Sequence, residues 1–428
     1  MAAYIPPHKR HSRGGGSSSS SAINPSPSLT PESLSPHFKR GLNLRSSFSD
    51  KKKNNRDRGK GGGGGGGQKI IYDQNAVSKW FPVGLAASSG DDTDNNDTNF
   101  MSLTRLQPIS VESFQRKSGE KPLSLVLNHD RVKECSEERS VFMENPWLFA
   151  AETVMQDLLS AFQRVQNEVE DNKLEEVKPT LVARFGQILF HGGQSTLPES
   201  SLRQLKRSFY TSVSASYMEY IVNDVVPKCM FDFEEEKEIY HIKLSDNMKP
   251  DSTISCKCTL AKDREKLEFY KIEWNQVRHV VVDMSCLDKD LDLRLMLCTK
   301  RIIKTLTDNE IECIKSLIGS AILDPEVKGG LRWPLGMDSS GDRYAVVGVW
   351  HVNAKSFRNS SIRLKVRHAD RFDFRTSSGE VSREVAMKMK GIVSNLPEQT
   401  KQDDLLHEML SSNLKLIWEN CLCFSSIP

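Results

Sequence analysis

An α+β body with a mainly antiparallel sheet and flanking helices, preceded by a disordered basic tail, is the fold class predicted for this 428-residue chain. Short β-type segments follow one another closely from about residue 180, instead of alternating with helices, which favours an antiparallel meander over an α/β sheet. Helical periodicity is confined to segments that flank this run. Composition also breaks near residue 68, where a Ser/Gly/Pro-rich tail closes on the glycine run Gly61 to Gly67. The break divides the chain into a tail (1–68), a partly ordered extended or linker region (69–140) and a globular body (141–428).

The clearest helix begins at Asn145-Pro146, an N-cap followed by proline at the first helical position. Ala151, Met155, Leu158, Phe162, Val165 and Val169 then recur at spacings of four and three, a seam too short for a coiled coil and suited to core packing. Upstream, Ile70, Ile71, Tyr72, Val77, Trp80 and Phe81 form an apolar island expected to dock on the body. Strands are predicted at 181–190, 240–244, 253–260, 267–274, 277–284, 344–352 and 362–366. Leu291, Leu293, Leu295 and Leu297 alternate with Asp292, Arg294 and Met296, the best period-two signal in the chain. Helices are expected near 199–223, over 308–322 with Asp308 as N-cap, over 382–394 and over 403–418.

Charge separates the tail from the rest. Residues 1–68 hold 12 Lys/Arg against 3 Asp/Glu, a net of +9, whereas the remainder holds 47 against 53, a net of −6. Such asymmetry points to a polyanionic partner for the tail. Lys9, Arg10, Arg13, Lys39, Arg40, Lys51, Lys52, Lys53, Arg56, Arg58 and Lys60 are the candidate nucleic-acid contacts, electrostatic and salt-dependent in kind. Ser26, Thr30 and Ser35, each followed by proline, are phosphorylation candidates whose modification would offset that charge.

Other chemistry is sparse. No run is long and apolar enough for a transmembrane helix, and Met1 to Pro7 lacks the apolar stretch of a secretory signal. Nine irregularly spaced cysteines argue against a disulfide framework and for a reducing compartment, nucleus or cytoplasm. Cys256-Lys257-Cys258 and Cys421-Leu422-Cys423 are read as buried cysteines, since zinc sites favour wider, matched pairs. Asp288-Lys289-Asp290-Leu291-Asp292 opens like a calcium loop but has Leu293 and Thr299 where that loop needs Gly and Glu, so a turn is expected there. His191, His241, His279, His351 and His368 fall in or beside strands and read as sheet-face residues. No catalytic residue, metal ligand or cofactor is assigned.

Tyr4-Ile5-Pro6-Pro7-His8-Lys9-Arg10 resembles the YxPPHLR element of DEAD-box RNA helicases, with Tyr4, Pro6, Pro7, His8 and Arg10 in place and Lys9 where that element carries leucine. The resemblance covers seven residues and implies an RNA-linked role, with those five as a partner motif. The start as a whole is similar to a plant protein family with a YIPPHKR-type N-terminus, which implies no activity or site. Together these readings point to a non-enzymatic, RNA-associated adaptor that also engages a protein partner and no membrane. The alternatives are a protein-interaction scaffold whose tail only localises it, and an enzyme without a recognisable motif. A deep pocket lined by convergent polar groups would favour the last.

Overall fold

The computed structural model describes residues 70–85, 103–136, 142–171, 175–191, 205–261, 266–333, 343–395 and 403–424. They belong to one compact unit, Gly66–Pro428. In chain order the first elements are β1 (Ile71–Val83), β2 (Thr104–Pro108), α1 (Glu112–Ser118), β3 (Leu123–Leu127), α2 (His129–Ser136), α3 (Pro146–Asp171), β4 (Glu175–Phe190) and β5 (Arg207–Tyr210). Next comes α4, made of Ala215–Tyr220, a π-helical turn Ile221–Val225 and Val226–Lys228. The meander β6 (Asp232–Asp246), β7 (Lys249–Leu260), β8 (Leu267–Trp274), β9 (Val277–Cys286) and β10 (Asp292–Ile303) leads to α5 (Asp308–Gly319). A small ribbon, β11 (Ile322–Leu323) with β12 (Leu331–Arg332), precedes β13 (Tyr344–Arg358), β14 (Ile362–Asp373), β15 (Ser378–Met389), α6 (Lys390–Asn395) and α7 (Asp403–Asn420).

The meander closes on itself. β4 pairs antiparallel with β10 from Gly186↔Asp292 to Glu175↔Ile303, and with β15 from Arg184↔Ala386 to Val182↔Lys388. β10 touches β8 at Ile302↔Glu273. The path β4-β10-β8-β7-β6-β13-β14-β15 therefore returns to β4 as a ring of eight strands. Closure satisfies strand edges that would otherwise stay open. A ring of eight leaves an interior wide enough for side chains or one small ligand.

Strand alternation then gives the barrel an apolar outside. Leu181, Ala183 and Phe185 of β4, Leu293, Leu295 and Leu297 of β10, Leu364 and Val366 of β14 and Val385, Met387 and Met389 of β15 are buried in one core. α3 and α7 cover it with Val154, Leu158, Phe162, Val165, Leu406, Leu410, Leu414 and Ile417. Of the α3 seam only Val169 stays outside, 40% exposed. A second core backs β6, β7 and β13, where Ile242, Leu244, Ile254, Cys256, Cys258 and Val349 meet Ile314, Leu317 and Ile318 of α5. Both Cys256 and Cys258 thus lie on the outer, apolar face, and burial pushes the Cys258 thiol up to about 12.

β1 adds to the outside of the ring, parallel to β9. Trp80 holds it there, donating from Nε1 to Ser285 Oγ at 3.0 Å and meeting Phe190 edge-on. Glycine is required at Gly186, because a Cβ there would collide with the carbonyl oxygen of Tyr210 where β5 crosses β4.

The antiparallel sheet and flanking helices match the sequence reading, with three local corrections. Within the segment expected to be helical over 199–223, residues 207–210 form β5, paired to β4, and among the described residues helix begins at Ala215, capped by Ser214. Residues 378–389 form β15 in place of a helix, because Val385, Met387 and Met389 face the core while Glu384 and Lys388 face the interior, a period of two. The cap of α5 is Thr307, not Asp308: Thr307 Oγ1 accepts from the Glu310 N–H at 3.3 Å and Glu310 Oε2 accepts from the Thr307 N–H at 2.7 Å, a capping box. Asp288 to Leu291 is the expected turn into β10. Phe162 is 2% exposed between α3 and the sheet, so Phe162→Ala should cost about 3–5 kcal/mol in a urea unfolding titration.

Candidate functional site

The inward face of the barrel encloses a cavity of about 300 Å³. Its wall carries eight cationic side chains, Arg184, Lys237, Lys243, Lys257, Lys300, Lys365, Arg367 and Lys388, against the two carboxylates Glu235 and Glu273. Several project inward because they alternate with outward apolar neighbours: Lys243 between Ile242 and Leu244, Lys365 between Leu364 and Val366, Lys388 between Met387 and Met389.

Both carboxylates are already neutralised. Glu273, on β8, accepts from Lys257 Nζ and Lys271 Nζ, each at 2.7 Å. Burial alone would raise its pKa, but the charges of Lys257 and Lys300 and these hydrogen bonds hold it at about 2. Glu235 accepts from Lys237 Nζ at 2.5 Å and Arg363 Nη2 at 2.6 Å, and the Lys237 bond leads in holding its pKa low. A third carboxylate, Glu384 on β15, is buried and bonds to Arg371. Against the raising effect of burial, Arg367, Arg371 and Arg184 bring it to about 2.

Among the described residues, no ion pair within 4.0 Å reaches Arg184, Lys243, Lys300, Lys365, Arg367 or Lys388. Lys243 is 7% exposed and its Nζ has no hydrogen-bond acceptor. It rests 4.0 Å from the centre of the Trp350 ring, which also takes the Arg371 guanidinium at 4.7 Å. Arg184 Nε and Arg367 Nε are likewise buried without an acceptor.

Desolvation and mutual repulsion show in the titration of these groups. Burial, followed by Lys300, Lys365, Arg367 and Arg363, lowers Lys388 to about 6. Burial and Arg371 lower Lys243 to about 7. Lys300 and Lys365 are lowered to about 8, burial again leading. His241, between Lys243 and the chain of Ile239, is taken down to about 3 by burial and Lys257, so it is neutral at physiological pH. A wall of this kind favours a multiply charged anion, whose oxygens supply the missing acceptors.

The other predicted histidines are in structural surroundings. His279 Nε2 is 2.9 Å from Thr299 Oγ1 in a buried pair, His351 stacks on Tyr240 at 4.5 Å, and His191 lies beside Phe114. Among the described residues no cluster of His, Cys, Asp and Glu is arranged to hold a metal ion. No helix there is long and apolar enough to cross a membrane. The predicted nucleic-acid contacts from Lys9 to Lys60, the motif Tyr4 to Arg10 and the phosphorylation candidates Ser26, Thr30 and Ser35 lie outside the described residues. The interior cations were not among the sequence-predicted sites. Their one signal is the alternation of Arg363, Lys365 and Arg367 with apolar Leu364 and Val366 in β14, a pattern that ordinarily marks a solvent-facing side.

In the unfolded chain these amines titrate near their ordinary 10.5, whereas in the folded protein Lys388 and Lys243 titrate at about 6 and 7. Between those values the unfolded chain binds more protons, so stability rises with pH over that window and is lost as pH falls through the folded values. The melting temperature of the ligand-free protein should therefore climb between pH 6 and 10, and Lys388→Met should flatten the slope.

Comparison with known proteins adds family and likeness. No curated protein matches the chain. Among solved structures, the Schizosaccharomyces pombe Pct1 RNA triphosphatase bound to the Spt5 CTD is similar at 9% identity and a TM-score of 0.41, covering 63% of this chain and 92% of that one. A putative adenylate cyclase of Bacillus halodurans is similar at 10% identity and a TM-score of 0.21, covering 51% and 89%. The PH1012 protein of Pyrococcus horikoshii gives 10% identity, a TM-score of 0.18 and coverage of 47% and 86%. Likenesses this distant fix neither a residue correspondence nor an activity. The match that covers most of the chain is to a family, over residues 65–421, and by it the protein belongs to the family described as Domain of unknown function (DUF7903).

Proposed function

We propose that the body is a receptor for a small, multiply phosphorylated anion held inside the barrel. The observation that carries this reading is the set Arg184, Lys243, Lys300, Lys365, Arg367 and Lys388, all on one cavity wall and, among the described residues, none in a direct ion pair with a carboxylate. Burying unpaired cations is costly, and the cost is recovered when a polyanion enters. The volume of about 300 Å³ lies at the small end of ligand pockets. It suits a short phosphate chain and excludes a threaded polymer. The enclosure and the convergence of polar groups also meet the condition set for an enzyme, so phosphate release from the bound anion would turn the receptor into one.

Tripolyphosphate is the direct probe, measured by isothermal titration calorimetry. Binding should be saturable at one site, and Arg367→Ala or Lys300→Ala should weaken it by about 10-fold or more, the loss of one charge-assisted contact. Binding should also take up protons near pH 7, because an anion over the wall restores the charge of Lys243. The heat will then vary with the ionisation enthalpy of the buffer. No binding, or equal binding by the variants, overturns the reading.

The charge division supports a second, compatible role. In it the protein is an RNA-associated, non-enzymatic adaptor of the nucleus or cytoplasm, whose tail contacts phosphates through Lys9 to Lys60. The tail's net +9 beside a remainder of −6 favours it, and phosphorylation at Ser26, Thr30 and Ser35 would weaken it. In-cell UV crosslinking to RNA should be strong for the full chain and lost on deletion of residues 1–68. Equal crosslinking after deletion would move the RNA site to the body, and none in either would end the RNA reading.

A further inference from the structure

Lys388 is placed for a chemistry that holding an anion does not use. It lines the cavity from β15, half-buried, with Val182 of β4 and Arg363 of β14 as its cross-strand partners. Lys300, Lys365 and Arg367 share its wall, and among the described residues no carboxylate forms an ion pair with its amine. The apolar side chains Val182, Ile239, Val352 and Ala354 reduce the water around it. A lysine amine that is desolvated and set beside other cations is in one of the arrangements that make it a nucleophile near neutral pH. Burial and those four neighbouring cations together keep the amine largely uncharged at pH 7, with a pKa of about 6. Lys243 is more buried, but its amine lies over the Trp350 ring, a contact that favours the ammonium form.

We propose that Lys388 captures a phosphorylated aldehyde or ketone as an imine, while Arg184, Lys300 and Arg367 hold the phosphate. The inference rests on the anion-receptor reading. The lone pair of the free amine forms the C–N bond at the carbonyl carbon as the C=O π pair moves to oxygen. That oxygen gains a proton, the nitrogen loses one, and the neutral carbinolamine results. Its hydroxyl is protonated and leaves as water, giving the protonated imine. One amine, one carbonyl and one proton from solvent become one protonated imine and one water, with no change of oxidation state. The phosphate offsets the charge that remains on the imine nitrogen.

The test uses the full chain with pyridoxal 5′-phosphate as probe, borohydride to fix any imine, and peptide mapping by mass spectrometry. Lys388 should carry the pyridoxyl group at least about tenfold faster than any exposed lysine, the free amine being the reactive form. Tripolyphosphate should suppress the label, pyridoxal without phosphate should give far less, and Lys388→Arg should lose it. Label spread over the exposed Lys304, Lys355 and Lys415, label centred on Lys243 or Lys300, or label indifferent to tripolyphosphate overturns the assignment. Mapping on the unaltered protein decides the matter even if the variant fails to fold. Tripolyphosphate binding without label removes the imine proposal and leaves the receptor standing, whereas absence of both removes the two together.

Discussion

Everything inside this protein depends on β4 having partners on both of its edges. Its pairing with β10 runs from Glu175 to Gly186, and its pairing with β15 is limited to Val182, Ala183 and Arg184. With both in place, the sheet has an inside and an outside in place of two faces. The outside takes the apolar half of each strand and the helices α3, α5 and α7 that cover it. The inside receives the remaining half, which in an open sheet would be bathed in water. Closure is therefore what turns an ordinary set of alternating lysines and arginines into a concentrated, partly dry positive field.

That field is expensive. Two unit charges a few ångströms apart interact far more strongly at reduced dielectric than in bulk water, and six basic side chains share one wall here with no direct ion pair among the described residues. The fold lessens the cost in two ways. Glu273, Glu235 and Glu384 are each held ionised between cations, so part of the charge is offset from within. The lysines with the least support, Lys388 and Lys243, give up protons instead of being paired. An interior of this kind keeps its charges together at a cost in stability.

The sequence made the elements legible where periodicity was local. The α3 seam, the leucine alternation of β10 and the consecutive meander from β6 to β10 all follow from side chains a few residues apart. The errors arose where tertiary context decided. Residues 382–394 contain good helix formers, yet β15 is drawn into the sheet by pairing with β14 and β4. The 199–223 region was misread because β5 gains its strand character only from lying along β4. The cavity was missed for a related reason. Lys237, His241 and Lys243 at alternate positions look like a wet face, and nothing within β6 says that β4 will return to enclose them. Closure is a property of residues 182–184 meeting 386–388, which no local window contains.

Those two segments also set the timetable of synthesis. A ribosome adding about 5–20 residues per second needs some 10–40 s to travel from the end of β4 to the end of β15. During that interval Val182, Ala183 and Arg184 of β4 lack their β15 partners, and contacts of such sequence separation are slow to form. A nascent chain that stalls anywhere before Met389 carries open strand edges and an unsealed interior. The last strand before α6 thus acts as the keystone of the ring, and the quality of the product rests on translation reaching it.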